Sequence, residues 1–257
     1  MDGKGGATMA ETGTGTGLPA SIEAAWGLRD RPQKGPRPAL TLARVVAAGV
    51  AVARAEGIDA VSMSRVAKEL GAATMSLYRY VSAKHELIDL MVDAVYGDPP
   101  PIGPDEDWRA GLGRWAWAVT DVYRRDPWII QVPVSGPPIT PNAVAWADNA
   151  LRRLAGTGLD PAERLAVVLL IANLVRGEMV LAVQLAEAYR GPNAGNLTDY
   201  GGRLSQLIDE ERFPAMSEVV ASGIFEQPDD GENEDLRFAL DRVLDGIEML
   251  IRARKTD

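Results

Sequence analysis

Apolar residues recur every three to four positions through most of the chain from Leu40 onward, the spacing that lays them along one face of an α-helix. Clear alternating runs of β-branched residues are absent, as are Asn-Gly or Asp-Gly turns between apolar strands. The pattern predicts helices over Thr41–Glu56, Ser64–Leu70, Ala73–Val81 and Ser82–Tyr96. Beyond a Pro-rich stretch, Gly97–Pro104, it predicts Asp105–Arg125, Thr140–Ala155, Pro161–Tyr189, Asp199–Asp209, Pro214–Ser222 and Glu234–Arg254. Local punctuation agrees. Thr41 and Gly57 are start and stop signals, and Asp160-Pro161 pairs an N-cap residue with a first-turn proline. Ser82 and Glu86 resemble a capping box with one residue too many between them. The chain contains no internal repeat, and the fold class is all-α.

The first 40 residues depart from this pattern. Asp2–Gly17 is nearly all Gly, Thr, Ala and charge, too poor in apolar area to offset chain entropy. Arg29–Pro38 is basic and Pro-rich, which favours an extended arm. Residues 1–40 therefore read as a flexible basic and Gly-rich tail, either an arm for a DNA groove or a solubilising segment.

Composition narrows the chemistry. The chain of 257 residues has no Cys and one His, which excludes disulfides, thiolate metal sites and any site needing two imidazoles from one chain. His85 has no partner motif, the acid pair Asp229–Asp230 lies in a polar loop, and no catalytic residue, metal ligand or cofactor is assigned. The longest apolar run, Leu165–Val175, is interrupted by Asn173 and is too short to span a bilayer, so the expectation is a soluble, cytoplasmic protein without membrane contact. Charge is uneven. From Arg29 to His85 ten Lys and Arg face four acids, a net +6, which leaves −15 for the remainder of a chain of net −9. A basic end on an acidic body suits contact with a polyanion at that end alone.

Within the basic stretch, Ser62–Lys84 reads SMSRVAKELGAATMSLYRYVSAK. It is a short helix, a turn containing Gly71 and a second short helix, with Val66, Leu70, Leu77 and Val81 spaced to pack the two at a steep angle. The outer face of the second helix carries Thr74, Ser76, Tyr78, Arg79 and Tyr80, with Lys84 at the start of the next helix. Hydroxyls, a guanidinium and phenols on an exposed helix suit base edges and phosphates.

These residues resemble the DNA-binding domain of the tetracycline-repressor-like (TetR) regulators. The likeness is dense from Ala55 to Asp93, in SMSRVAKELG, SLYRYV and KHEL. LRFALDRVLDGIEMLI, Leu236–Ile251, is similar to the last helix of the tetracycline-repressor type of C-terminal domain. The resemblance implies a three-helix helix-turn-helix domain over 41–97 and a larger helical ligand-binding and dimerisation domain over 105–257. It implies double-stranded operator DNA, a homodimer and an unidentified small-molecule effector as partners. It also implies that Arg65 lies near the DNA, that Thr74, Met75 and Ser76 face base edges, and that Tyr78, Tyr80 and Lys84 hold phosphates. Arg79 stands where some members carry an aromatic residue. A magnesium–tetracycline complex is not expected, because the body of this chain has no His.

Two further expectations concern the body. On Glu234–Arg254 the residues Leu240, Val243, Leu244, Ile247, Leu250 and Ile251 form an apolar face for pairing, with Gly246 allowing close approach, unless that face fills the chain's own core. Five of the six Trp lie in the body, and polar residues interrupt the apolar helix 161–189. An effector pocket drawing on Trp115, Trp128, Trp146, Asn173, Arg176 and Met179 is one explanation; surface pairing of Arg176 and Glu178 is the other. The function expected is a DNA-binding regulator, a repressor released by an effector; the alternative is a helical adaptor that binds protein without DNA.

Overall fold

The computed structural model describes residues 17–28, 40–134, 136–190, 199–226 and 234–255; the arm Arg29–Arg37 and the pair Asp229–Asp230 lie outside them. Among the described residues every regular element is helical. The helices are α1 (Ala20–Ala25), α2 (Leu42–Glu56), α3 (Met63–Glu69), α4 (Thr74–Leu77), α5 (Lys84–Tyr96), α6 (Trp108–Arg125), α7 (Pro141–Arg153), α8 (Pro161–Arg190), α9 (Tyr200–Leu207), α10 (Pro214–Ala221) and α11 (Glu234–Arg254). A 3-10 turn over Pro127–Gln131, which the periodicity does not reveal, follows α6. Starts fall where capping chemistry puts them. Thr41, Ser62 and Asp107 accept the amides of Arg44, Arg65 and Ala110. Asp160 and Glu163 close a reciprocal box, each carboxylate accepting the other's amide at 3.0 and 2.8 Å.

The chain divides into two compact units. The first holds residues up to Val95 together with Gly136–Ala143; the second holds Tyr96–Ser135 and the chain from Val144 onward. The first unit is built on α2, which packs against α3 and the 3-10 turn Ile58–Ala60, with α4 packed on α3. Val45, Val52, Val61, Val66, Leu77 and Leu87 are wholly buried there. Gly49 lets α5 approach α2: a Cβ at this position would stand 2.6 Å from the Met91 sulfur.

The stretch read as tail is not uniform. Ala20–Ala25 is a helix, because Ile22 and Ser21 are buried and the Ser21 hydroxyl donates to Glu86 at 2.7 Å. The Trp26 indole donates to the Ile139 carbonyl at 2.8 Å. The segment 136–143 joins the first unit because Asp93, on α5, caps the start of α7. Its carboxylate accepts the amides of Asn142 and Ala143 at 2.9 and 3.0 Å, and its carbonyl accepts from the Asn142 side chain at 3.0 Å.

In the second unit α8 packs on α6, on α11 and on the 3-10 turn. Its 30 residues extend well beyond the 11-residue apolar run Leu165–Val175; by length and composition α8 is apolar enough to cross a membrane, and 28% of the qualifying window is buried within the chain. Its buried residues Val167, Val168, Ile171, Val175 and Met179 face the core. The opposite ridge, Leu165, Leu169, Asn173, Gly177, Leu181, Leu185 and Tyr189, is exposed at every fourth position. The α11 helix turns Leu236, Leu240, Leu244, Ile247 and Ile251 inward. Four of the six residues assigned to pairing, Leu240, Leu244, Ile247 and Ile251, are thus core residues of their own chain; Val243 is half-buried and Leu250 exposed. The outer face of α11 offers Phe238, Gly246 and Met249 instead.

Replacing Gly49 by Val overpacks the contact between α2 and α5 and lowers stability by about 1–3 kcal/mol in denaturant titrations. Gly113→Ala, where a Cβ meets nothing within 4 Å, raises it by roughly 0.5–1 kcal/mol; equal effects at both positions contradict this packing.

Candidate nucleic-acid interface

The interface begins with a turn. Gly71 takes φ +61°, a left-handed conformation that side chains disfavour, and so ends α3 sharply enough for α4 to cross it. The pairing expected of the two helices holds: Val66, Leu77 and Val81 are buried and Leu70 half-buried. With Leu77 inward, Met75, Tyr78 and Arg79 stand exposed, Thr74 and Ser76 are half-buried at the surface, and Lys84 is exposed at the start of α5. Met75 is 76% exposed, an uncommon position for a thioether without a partner surface.

Two assigned residues are committed elsewhere. The Arg65 guanidinium forks onto Glu56 at 2.6 Å and donates to Glu69 at 2.9 Å. The hydrogen bonds from Glu56 and Glu69 hold its pKa above the ordinary arginine value, and the Arg65 fork draws the Glu56 carboxyl below its own. Arg65 therefore braces α3 against the end of α2 rather than presenting a free cation. Tyr80 donates its one hydroxyl proton to the Leu40 carbonyl at 2.7 Å, which leaves no donor for a phosphate. That bond ties the residue before the α2 cap to the end of α4. Arg44, four residues on from Leu40, is exposed on the first turn of α2.

The base of α5 is fixed by a buried carboxylate. Glu86 accepts from the Ser82 amide at 3.1 Å, from the Ser82 hydroxyl, and from Ser21. Only half of the box forms: the Glu86 carboxylate accepts the Ser82 amide, and the Ser82 hydroxyl donates to that carboxylate. Burial pushes the Glu86 carboxyl up, but the hydrogen bonds from Ser82 and Ser21 together outweigh it and hold the pKa below the usual value. His85, beside it, is exposed.

The residues assigned to an effector pocket are only partly gathered. Trp115 and Trp146 pack edge-to-face at 6.2 Å. Their indoles donate to the carbonyls of Trp146 and Gly97, and that of Trp128 to Asp126. All three indole donors are spent within the second unit. Arg176 holds the carbonyls of Ile130 and Val132, both at 3.0 Å, and Met179 is buried. Asn173 is exposed on the outer ridge of α8, because positions 171 and 175 take the core side. The periodicity missed a buried phenol pair: the hydroxyls of Tyr96 and Tyr123 lie 3.1 Å apart, with Trp146 edge-on to Tyr96 at 5.5 Å. Burial raises the Tyr96 pKa, and Tyr123 reinforces the shift.

Comparison with known proteins places these features in a family. Residues 45–91 match the model of the bacterial regulatory proteins of the tetR family, and residues 100–251 match that of the tetracyclin repressor-like C-terminal domain. The chain is similar to the HTH-type transcriptional repressor DrrR1 of Streptomyces coeruleorubidus, 36% identical over 98% of this chain and 94% of that one. It is also 30% identical, over 66% of its length and 70% of the relative's, to an HTH-type transcriptional regulator of Saccharopolyspora erythraea. In fold it is similar to the Streptomyces coelicolor TetR family protein ActR in complex with actinorhodin, with TM-score 0.69 and 24% identity over 84% of this chain and 99% of that one. The ActR complex with (S)-DNPA gives 0.68 and 22% over 82% and 98%.

Because the Glu86 pKa is depressed in the folded state, its contribution is present above the ordinary carboxyl pKa and is lost as pH falls through the folded value. Glu86→Gln costs about 1–2 kcal/mol at pH 7 in denaturant titrations. The gap from the parent closes below about pH 4; a gap independent of pH contradicts the assignment.

Proposed function

The chain belongs to the tetracycline-repressor family of bacterial transcriptional regulators and is a DNA-binding regulator; on that premise we propose how it reads DNA, pairs and responds. Thr74, Met75, Ser76 and Arg79 face base edges in the major groove, Met75 offering an apolar contact to a thymine methyl. Tyr78 and Lys84 hold phosphates, and Arg44 joins them from the first turn of α2. Arg65 and Tyr80 act indirectly, by fixing the attitude of α3 and α4. The observation that carries this reading is α4 itself, a four-residue helix with Leu77 buried and Met75, Tyr78 and Arg79 left outward.

One reader binds weakly, and two on a symmetric dimer address half-sites about 34–36 Å apart. The pairing surface is the outer ridge of α8, where Leu165, Leu169, Leu181, Leu185 and Tyr189 flank Gly177, together with Phe238, Gly246 and Met249 on α11. A Cβ at Gly177 or Gly246 meets nothing within 4 Å, which leaves room for a neighbouring helix to seat closely. This also accounts for the length and apolarity of α8 without a membrane, and the protein works in the cytoplasm, where its operator is.

The regulator is a repressor that an effector draws into a conformation unsuited to the operator. The family is not an enzyme class, and no catalytic role is assigned. The second unit offers the phenol pair Tyr96 and Tyr123, beside Trp146, as the polar anchor of an otherwise aromatic effector site. The ActR structures, which hold actinorhodin and (S)-DNPA, support a small organic effector.

Duplexes selected from a random pool should include one bound with a log–log salt slope near −7, for about eight phosphate contacts. Thr74→Ala and Ser76→Ala then change sequence preference, while Tyr78→Phe and Lys84→Ala weaken all sequences alike. A salt-independent affinity, or no selected duplex, favours the adaptor reading. Leu169→Asp with Leu181→Asp gives a folded monomer by light scattering, whereas Leu244→Asp, placing a charge in the core, prevents folding. A Leu169/Leu181 double variant that stays dimeric contradicts the pairing surface.

A further inference from the structure

The last turn of α7, the first turn of α6 and the C-terminal end of α11 line a cavity of about 310 Å³ in the second unit. Neither Tyr96 nor Tyr123 belongs to its lining, so it is separate from the effector site proposed above. Ile102, Trp108 and Ile251 give it apolar walls, and its size lies at the small end of ligand pockets, about 300–1,000 Å³.

Its charges are unequal in availability. Arg153 lines the cavity but is buried and committed: it donates to Asn149 and to the Pro100 carbonyl, both at 3.1 Å, and pairs with Glu106. Glu106 is shared, since Arg114 reaches the same oxygen at 2.6 Å. The Asp107 carboxylate is taken by the Ala110 amide at 2.8 Å. Arg152 and Lys255 also line the cavity, are exposed, and make no ion pair among the described residues. Three cations thus face two acids in the lining, and both acids are already engaged, in a chain whose net charge is −9. The N-terminal end of α6, capped by Asp107, also borders the cavity.

We propose that this cavity binds a small organic anion, a carboxylate on an apolar body. Trp108, Ile102 and Ile251 pack the body, and Arg152 and Lys255 take the carboxylate. The neutral form of such a molecule would leave both cations unmet, so charge rather than shape sets the preference.

The test is calorimetric titration of the full-length protein with 2-naphthoate and with its neutral amide. The acid binds about tenfold more tightly than the amide. Arg152→Ala with Lys255→Ala weakens the acid by about tenfold, leaves the amide unchanged and leaves the melting temperature unchanged, since both side chains are exposed. Equal affinity for acid and amide overturns the proposal. So does a double variant that binds the acid as the parent does, because the heat then comes from another site, and so does the absence of binding by the parent. Operator binding by the same double variant, which carries every residue of the reading head, reports on the regulatory function separately.

Discussion

A four-residue helix cannot hold itself together in water, because nucleation costs more than one turn returns. The surface proposed to read DNA therefore exists only as long as α3 and α2 carry it. Leu77 and Val81 insert beside Val66 with essentially no exposure, Gly71 supplies the left-handed turn, and the Tyr80 hydroxyl pins the end of α4 to the Leu40 carbonyl. Because the inward contacts do all of the holding, the outward residues are free of structural duty. That division of labour lets Met75, Tyr78 and Arg79 remain exposed.

Carboxylates do much of the joining elsewhere, as suits an acidic chain. Asp93 caps α7 from α5, Glu86 gathers Ser82 and Ser21, and Glu106 receives two guanidinium groups. Each is removed from water, and each recovers its solvation from amides, hydroxyls or guanidinium donors placed by a different segment. Burying a carboxylate is tolerable only with such donors at hand, so these residues fix the relation of segments far apart in sequence. Ser21 and Glu86 are 65 positions apart, and this pair docks a helix where local composition argues for a tail.

The α8 helix shows the limit of a hydrophobic pattern. It is apolar nearly all round, so its sequence does not distinguish a helix within one core, a helix shared between two subunits and a membrane span. Within the chain only the side carrying Val167, Ile171 and Val175 is buried, and leucines are left on the other. The same ambiguity governs α11. Its strongest stripe suits pairing equally well on a helical wheel, yet Leu240, Leu244 and Ile247 are buried within their own chain, where α11 packs on α8. A wheel ranks faces by apolarity and is silent on which neighbour arrives first.

Local rules settled what depends on local energy: the all-helical class, the starts at Thr41, Asp160 and Pro161, the turn at Gly71, and the inward turn of Leu77 on α4. Periodicity, capping and glycine conformation act within a few residues, so a single sequence contains them in full. The tertiary structure alone decided that Arg65 and Tyr80 are braces, that Asn173 faces outward, and that Ala20–Ala25 folds at all. Each of those outcomes depends on a partner brought near by packing, such as Glu56, Leu40 or Glu86. A donor's commitment is set by the acceptor it meets, and that meeting is a property of the folded chain.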